Sequence, residues 1–197
     1  MIEVEKNYNL KPGDKERLTA DAEFLYAKAI RDIYYDSPDW KLTRRDHWLR
    51  ERNGRFELKV PLNNKPISER ETDQYRELET DAEIARELEL DPTGRISEEI
   101  SEKGYVPFVT IVTQRESYRK GDFHLDFDEM DFGFSTFEAE LLVEKEEDMR
   151  GAEKRINEFA RQYGVSGTTG RGKVIECLFR HAPEHYRALV SAGVIKE

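Results

Sequence analysis

From Ile2 to Lys145 most of the chain alternates apolar and polar residues with period two, the pattern of strands with one dry face and one wet face. Ile2 and Val4 alternate with Glu3, Glu5 and Asn7 across Ile2–Tyr8, and Phe24–Tyr35 is a β-branched and aromatic run closed by Asp36-Ser37-Pro38. In DHWLRERNGRFELKVP two alternating runs flank Asn53-Gly54. A type I′ turn needs positive φ at both central residues, so this dipeptide predicts a tight hairpin. Further strands are predicted at Gln74–Glu79, Tyr105–Tyr118, Asp122–Met130 and Ser135–Lys145. Helical spacing fits Gly13–Ala22, Ala82–Leu90, Ser97–Lys103, Asp148–Tyr163, Lys173–Arg180 and Pro183–Ala192. Pro183 sits at a first helical turn, where its missing N–H costs nothing. No Gly-, Ser- or Pro-rich linker divides residues 1–197, so a single domain is expected, with the C-terminal helices covering the sheet.

The polar faces are sorted by sign. A two-residue loop sets Trp48 opposite Lys59, Arg50 opposite Glu57 and Arg52 opposite Arg55, so these side chains share one face, while Leu49, Phe56, Leu58 and Val60 take the other. Two arginines facing each other repel unless an anion lies between them, and guanidinium is a good fork for phosphate oxygens. A solvated hairpin face and an anion-binding face both fit this segment. Other strands present acidic pairs: Glu3 with Glu5, Asp126 with Asp128, and Glu138 with Glu140. Each strand taken singly also reads as an ordinary half-exposed one. A sheet closed into a barrel with a polar interior would instead gather the acidic pairs and Arg50, Arg52, Lys59 and Arg115 around one cavity. Carboxylates on one wall and cations on the other suit a magnesium polyphosphate, because Mg²⁺ takes oxygen ligands and bridges phosphates while Arg and Lys neutralise the remaining oxygens.

Composition narrows the function. Charged residues make up 38% of the chain and aromatics 11%, too many aromatics for a disordered polyelectrolyte. With 32 basic and 42 acidic residues the net charge is −10, which argues against duplex nucleic acid as a partner. The lone Cys177 excludes an internal disulfide and a thiolate zinc cage, and reads as a small apolar helix residue in a reducing compartment. No apolar run is long enough for a membrane span and the N-terminus is acidic, so a soluble, cytoplasmic, monomeric protein is expected.

IEVEKN resembles the Glu-x-Glu-x-Lys signature of the CYTH, or triphosphate tunnel metalloenzyme, family. IRDIYYDSPDWKLTRRDHWLRERNGRFELKVP resembles the thiamine triphosphatases of that family, as do YRELE, VTIVTQRESYRK, DFHLDFDEMDFGFSTFEAELLVE and GKVIECLFRHAPEHYRALV in the same order. The resemblance implies an α+β fold: a closed eight-stranded antiparallel β-barrel, or tunnel, with helices packed outside. It also implies Mg²⁺-dependent hydrolysis of thiamine triphosphate to the diphosphate and phosphate. Position by position it implies a metal wall of Glu3, Glu5, Asp126, Glu138 and Glu140, with Asp128 behind it, and phosphate-facing Arg50, Arg52, Lys59, Arg115 and Lys173. The chain departs from the signature at Asn7, where the family has lysine. Lys6 is adjacent but lies on the opposite face unless the strand bulges.

Water attacking the terminal phosphorus needs positioning and charge neutralisation more than covalent chemistry, and no nucleophile, base and orienter set is apparent. Lys59 and Glu140 are the expected catalytic pair. Lys59 would act as general base, provided that Arg50 and Arg52, which disfavour its ammonium form, outweigh Glu57, which favours it. Glu57 joins the substrate-binding set. Trp48 offers an aromatic face to a cationic thiazolium ring, and a core tryptophan is the alternative. An inorganic triphosphatase, an adenylyl cyclase of the same fold and a non-catalytic triphosphate binder remain open as other functions. His181 and His185 read as surface histidines, and the glycines at 167, 170 and 172 as a mobile loop placing Lys173 at the tunnel mouth.

Overall fold

A computed structural model describes residues 2–62, 65–69, 73–165 and 171–195. Its eight strands are β1 (Ile2–Tyr8), β2 (Glu23–Asp36), β3 (Trp48–Arg52), β4 (Arg55–Pro61), β5 (Asp73–Leu78), β6 (Val106–Lys120), β7 (Phe123–Met130) and β8 (Phe134–Val143). They close into an antiparallel barrel in the order β1-β5-β4-β3-β2-β6-β7-β8. Closure leaves no free sheet edge where all eight strands pair, and it turns one face of every strand inward. The β3–β4 hairpin turns as expected, with Asn53 at φ 51° and Gly54 at φ 84°, and pairs Trp48 with Lys59, Arg50 with Glu57 and Arg52 with Arg55.

The outward faces are the dry ones wherever a helix covers them, whereas β2 and β6 leave much of theirs exposed. Helix α4 (Met149–Gln162) lays Ala152, Ile156, Phe159 and Ala160 against Ile2, Val4, Leu125, Phe137, Ala139 and Leu141 of β1, β7 and β8. Helices α2 (Asp81–Glu87) and α3 (Ile96–Glu102) bring Ile84, Ala85 and Ile100 onto Leu49, Phe56, Leu58 and Leu78 of the hairpin and β5. The start of α2 is set by a capping box in which Thr80 and Glu83 exchange side-chain and backbone hydrogen bonds. A short α1 (Asp14–Thr19) follows β1 and buries Leu18. Among the described residues no helix is long and apolar enough to cross a membrane.

The C-terminal pair, α5 (Lys173–His181) and α6 (Pro183–Ser191), packs differently. Ile175, Leu178 and Leu189 contact Trp48 and Tyr75, and Cys177 joins Tyr34, Ile111 and Met130. These barrel residues have the inward parity, so α5 and α6 cover one end of the barrel interior. His185 is therefore not a surface residue. It is 3% exposed, stacks on Trp40 with centroids 4.8 Å apart, and its Nε2 lies 2.7 Å from the Thr43 hydroxyl. That hydroxyl donates to Asp36 Oδ2, so His185 must be the donor to Thr43, and burial lowers its pKa to about 4. Of the loop expected ahead of Lys173, residues 166–170 lie outside the described residues, while Gly172 stands at the N-cap of α5 and Lys173 opens that helix and is buried.

Candidate active site

The inward side chains enclose a cavity of about 610 Å³. One wall carries Glu3, Glu5 and Asn7 from β1, Asp126 from β7, and Glu138 and Glu140 from β8. Their neighbourhood follows from register, since β1 pairs with β8 so that Glu5 faces Glu140 and Asn7 faces Glu138, and β7 pairs with β8 so that Asp126 faces Glu138. Arg50, Arg52 and Lys59 from the hairpin, Arg115 from β6 and Lys173 from α5 line the same cavity. The residues expected from the sequence thus come together, with one exception. Glu57 does not line the cavity; it accepts from Arg50 Nε at 2.7 Å and stands 3.8 Å from Arg52, so it holds two arginines in place.

The two charge sets neutralise each other in specific clamps. Arg115 donates Nε to Asp128 Oδ1 at 2.6 Å, binds Asp126 through Nη1, and reaches Glu138 Oε2 at 3.2 Å through Nη2. Burial disfavours the Arg115 guanidinium, but these three carboxylates outweigh that penalty and hold its pKa well above the ordinary value. Lys59 binds Glu3, and lies 3.3 Å from both Glu5 and Glu77. Burial likewise disfavours its ammonium form, and Glu3, Glu5 and Glu77 reverse the balance, raising its pKa well above normal. Lys59 is therefore a fixed cation in this arrangement. Three carboxylates surround it where the hairpin alone offered only Glu57, so this charge balance disfavours the neutral form that the expected base role needs.

Asp32 and Glu77 are acidic members that the sequence reading missed. Asp32 is fully buried on β2; it accepts from Arg52 Nε at 2.7 Å and Nη2 at 2.9 Å, and from Lys173 Nζ at 2.8 Å. Burial opposes its ionisation, yet Arg52, Lys173 and Arg50 hold its carboxyl well below the usual range. It is the anion that relieves Arg52, whereas Arg55 is exposed. Its signal was a lone acid between Ile30 and Tyr34 on the inward parity of an aromatic strand. Glu77 sits between Lys59 and Arg50, and these cations overcome burial to lower its pKa to about 2. Its signal was the alternation of Tyr75, Glu77 and Glu79.

Glu138 and Glu140 run the other way, since burial raises the pKa of both. At Glu140 burial first, then the charge of Glu3, push the pKa up to about 8. His124, across the β7–β8 register from Glu140, places Nε2 3.0 Å from Asp126 Oδ1, and that contact raises the histidine's pKa. Among the described residues no three His, Cys, Asp or Glu side chains converge into a ready-made cation cage. The donor set is nonetheless the right one for a hard divalent cation: acid oxygens, with Glu140 and Glu3 in mutual repulsion that a cation would relieve.

Position 7 is settled by the backbone. β1 pairs with β8 without interruption from Ile2 to Tyr8, so no bulge turns Lys6 inward. Lys6 donates to Asn157 Oδ1 on α4 at 2.8 Å, while Asn7 lines the cavity and accepts from the Thr136 hydroxyl at 3.1 Å. Asn7→Lys would put an ammonium beside Glu138 and is expected to lower the KM for triphosphates by roughly three- to tenfold, the scale of one added charge-assisted hydrogen bond. Steady-state kinetics on both proteins checks this, and an unchanged KM would mean that the cations already present meet every phosphate oxygen.

The cavity's remaining wall is aromatic. Trp48 and Tyr75 line it, and both also pack against Ile175 and Leu178. Trp48 is thus both a cavity residue and a core residue, with 6% of its surface exposed.

A CYTH-domain model matches residues 1–171. The chain belongs to the CYTH family. Over the full length of the chain this CYTH protein is 29% identical to the thiamine-triphosphatase of Homo sapiens, covering 93% of it, and 28% identical to that of Macaca fascicularis, again covering 93%. The barrel matches the PH1819 protein of Pyrococcus horikoshii OT3 with a TM-score of 0.65 at 22% identity, covering 91% of this chain and 99% of that one. A Hippeastrum protein described as a putative adenylyl cyclase with dominant triphosphatase activity superposes with a TM-score of 0.55 at 19% identity, covering 91% of this chain and 94% of that one. At these identities the two structures speak to the CYTH fold alone.

Proposed function

We propose that the protein hydrolyses thiamine triphosphate to thiamine diphosphate and phosphate with Mg²⁺. The observation carrying this reading is that one cavity joins five cations, an acidic wall and an aromatic wall, which together match a polyanion, its metal and a cationic ring. The full-length likeness to thiamine-triphosphatases supports the choice of substrate.

Arg50, Arg52, Arg115, Lys59 and Lys173 would bind and orient the phosphate oxygens and neutralise charge developing on the leaving diphosphate. Each is already fixed by a carboxylate, so little reorganisation accompanies binding. Glu3, Glu5, Asp126, Glu138 and Glu140 would hold Mg²⁺. That ion supplies Lewis-acid polarisation of phosphate oxygens when bound. Glu140, whose pKa burial and the charge of Glu3 push up to about 8 without the cation, would take a proton from the attacking water in its ionised form, which a bound cation favours. The α5–α6 pair keeps water from the end of the cavity near Trp48.

Trp48→Ala should remove the aromatic face and leave the phosphate walls standing. Activity on thiamine triphosphate is expected to fall roughly tenfold more than activity on tripolyphosphate, the scale of a cation–π contact of ~1–2 kcal/mol. The deciding assay measures phosphate release from thiamine triphosphate, tripolyphosphate and ATP, with Mg²⁺ and with excess chelator. Full activity in chelator, or no turnover of thiamine triphosphate beside rapid turnover of another substrate, would overturn the proposal.

A further inference from the structure

A buried carboxylate stands behind the aromatic wall. Asp46 lies two residues before β3 begins, is 4% exposed, and adopts the left-handed conformation at φ 60° and ψ 30°. Non-glycine residues rarely hold that backbone, and where they do the surrounding structure enforces it. Its Oδ1 accepts from Trp48 Nε1 at 2.7 Å and from the Tyr75 hydroxyl at 2.9 Å. The donors come from different strands, β3 and β5, which β4 separates in the barrel. One oxygen therefore fixes the ring orientations of two aromatic residues that line the cavity, Trp48 and Tyr75.

The charge acts as well as the geometry. A carboxylate hydrogen-bonded to an indole N–H and a phenol O–H raises the electron density of both rings, and in a dry interior its field is weakly screened. A ring face backed by negative charge attracts a cation more strongly than a neutral one does. A cation already stands near one of these rings, Lys59 Nζ lying 5.6 Å from the Tyr75 ring centroid.

We propose that Asp46 is a specificity-determining residue: through Trp48 and Tyr75 it makes the aromatic wall select triphosphates whose organic group is a cationic ring over those with a neutral base or none. This inference rests on the function proposed above, and concerns how that same cavity discriminates. Asp46 would touch no substrate atom. Its contribution should therefore appear as a change in preference between ligands and not as a uniform loss.

The test is calorimetric titration of the parent and Asp46→Asn with thiamine diphosphate and with pyrophosphate. Asn keeps an accepting oxygen of nearly the same shape and removes the charge. The variant is expected to bind thiamine diphosphate roughly five- to tenfold more weakly and pyrophosphate within roughly twofold of the parent. Trp48→Phe and Tyr75→Phe each keep a ring and delete one donor, and each should reproduce part of the selective loss. They stand in if Asp46→Asn does not fold. Equal losses on both ligands, no loss, or a parent that binds thiamine diphosphate no better than pyrophosphate overturns the inference. A parent that binds thiamine diphosphate selectively but does not hydrolyse thiamine triphosphate overturns the proposed reaction and leaves the role of Asp46 standing.

Discussion

Arg115→Ala is expected to lower the melting temperature of the metal-free protein by about 6–20 °C. The guanidinium serves Asp126, Asp128 and Glu138 at once, and all three carboxylates lie on the inward face. Removing one partner of a buried ionic cluster costs about 3–5 kcal/mol, because the charges left behind stay desolvated and repel one another. For a chain of this size each kcal/mol moves the midpoint by about 2–4 °C. A divalent cation would replace the lost charge, so Mg²⁺ should stabilise Arg115→Ala more than it stabilises the parent. Thermal scans with and without Mg²⁺ check both halves. A shift under about 2 °C that does not respond to Mg²⁺ would show that Arg115 is not what holds the acidic wall together.

Glu140→Gln should do the opposite to stability while removing activity. The folded-state pKa of Glu140, about 8, lies above its ordinary value, so the folded protein holds a proton there that the unfolded chain has released. Linkage then makes its contribution favourable below the unfolded pKa and progressively lost as pH rises toward 8. The amide cannot ionise. Metal-free Glu140→Gln should therefore match the parent near pH 4 and exceed it by several degrees at pH 8. Its hydrolysis of thiamine triphosphate should fall by roughly a hundredfold or more, the usual loss when an acid–base group goes. Identical pH–stability curves for the two proteins would disprove the buried charge, and undiminished turnover would remove Glu140 from the reaction.

These two variants separate the roles of charges that look alike along the chain. Asp126, Glu138 and Glu140 all alternate with apolar residues on neighbouring strands, yet Arg115 clamps the first two while Glu140 has Glu3 as its chief charged neighbour. The same contrast holds among the bases. Lys59 is half-buried and within reach of three glutamates, while Lys173 is buried and sits on Asp32.

Period-two alternation was enough to locate the strands to within a few residues, because in a barrel successive side chains face the cavity and the outside by turns. Asn53-Gly54 likewise settled the hairpin register, since its turn type allows only one pairing of the flanking residues. Which face of every strand carried the charge was legible for the same reason. The partners of those charges were not. Asp32 reaches Arg52 because β2 lies beside β3, and it reaches Lys173 because α5 returns over the barrel end. Glu77 and Glu3 reach Lys59 because β5 and β1 close the sheet behind β4. These are contacts between segments distant in the chain, and only closure of the barrel brings them within range. His185 shows the same limit: a helix residue flanked by charge reads as exposed until α6 docks on the loop that holds Trp40 and Thr43. Local alternation determined which side chains could enter the cavity; the barrel's closure decided which charges they would meet there, and with that their protonation.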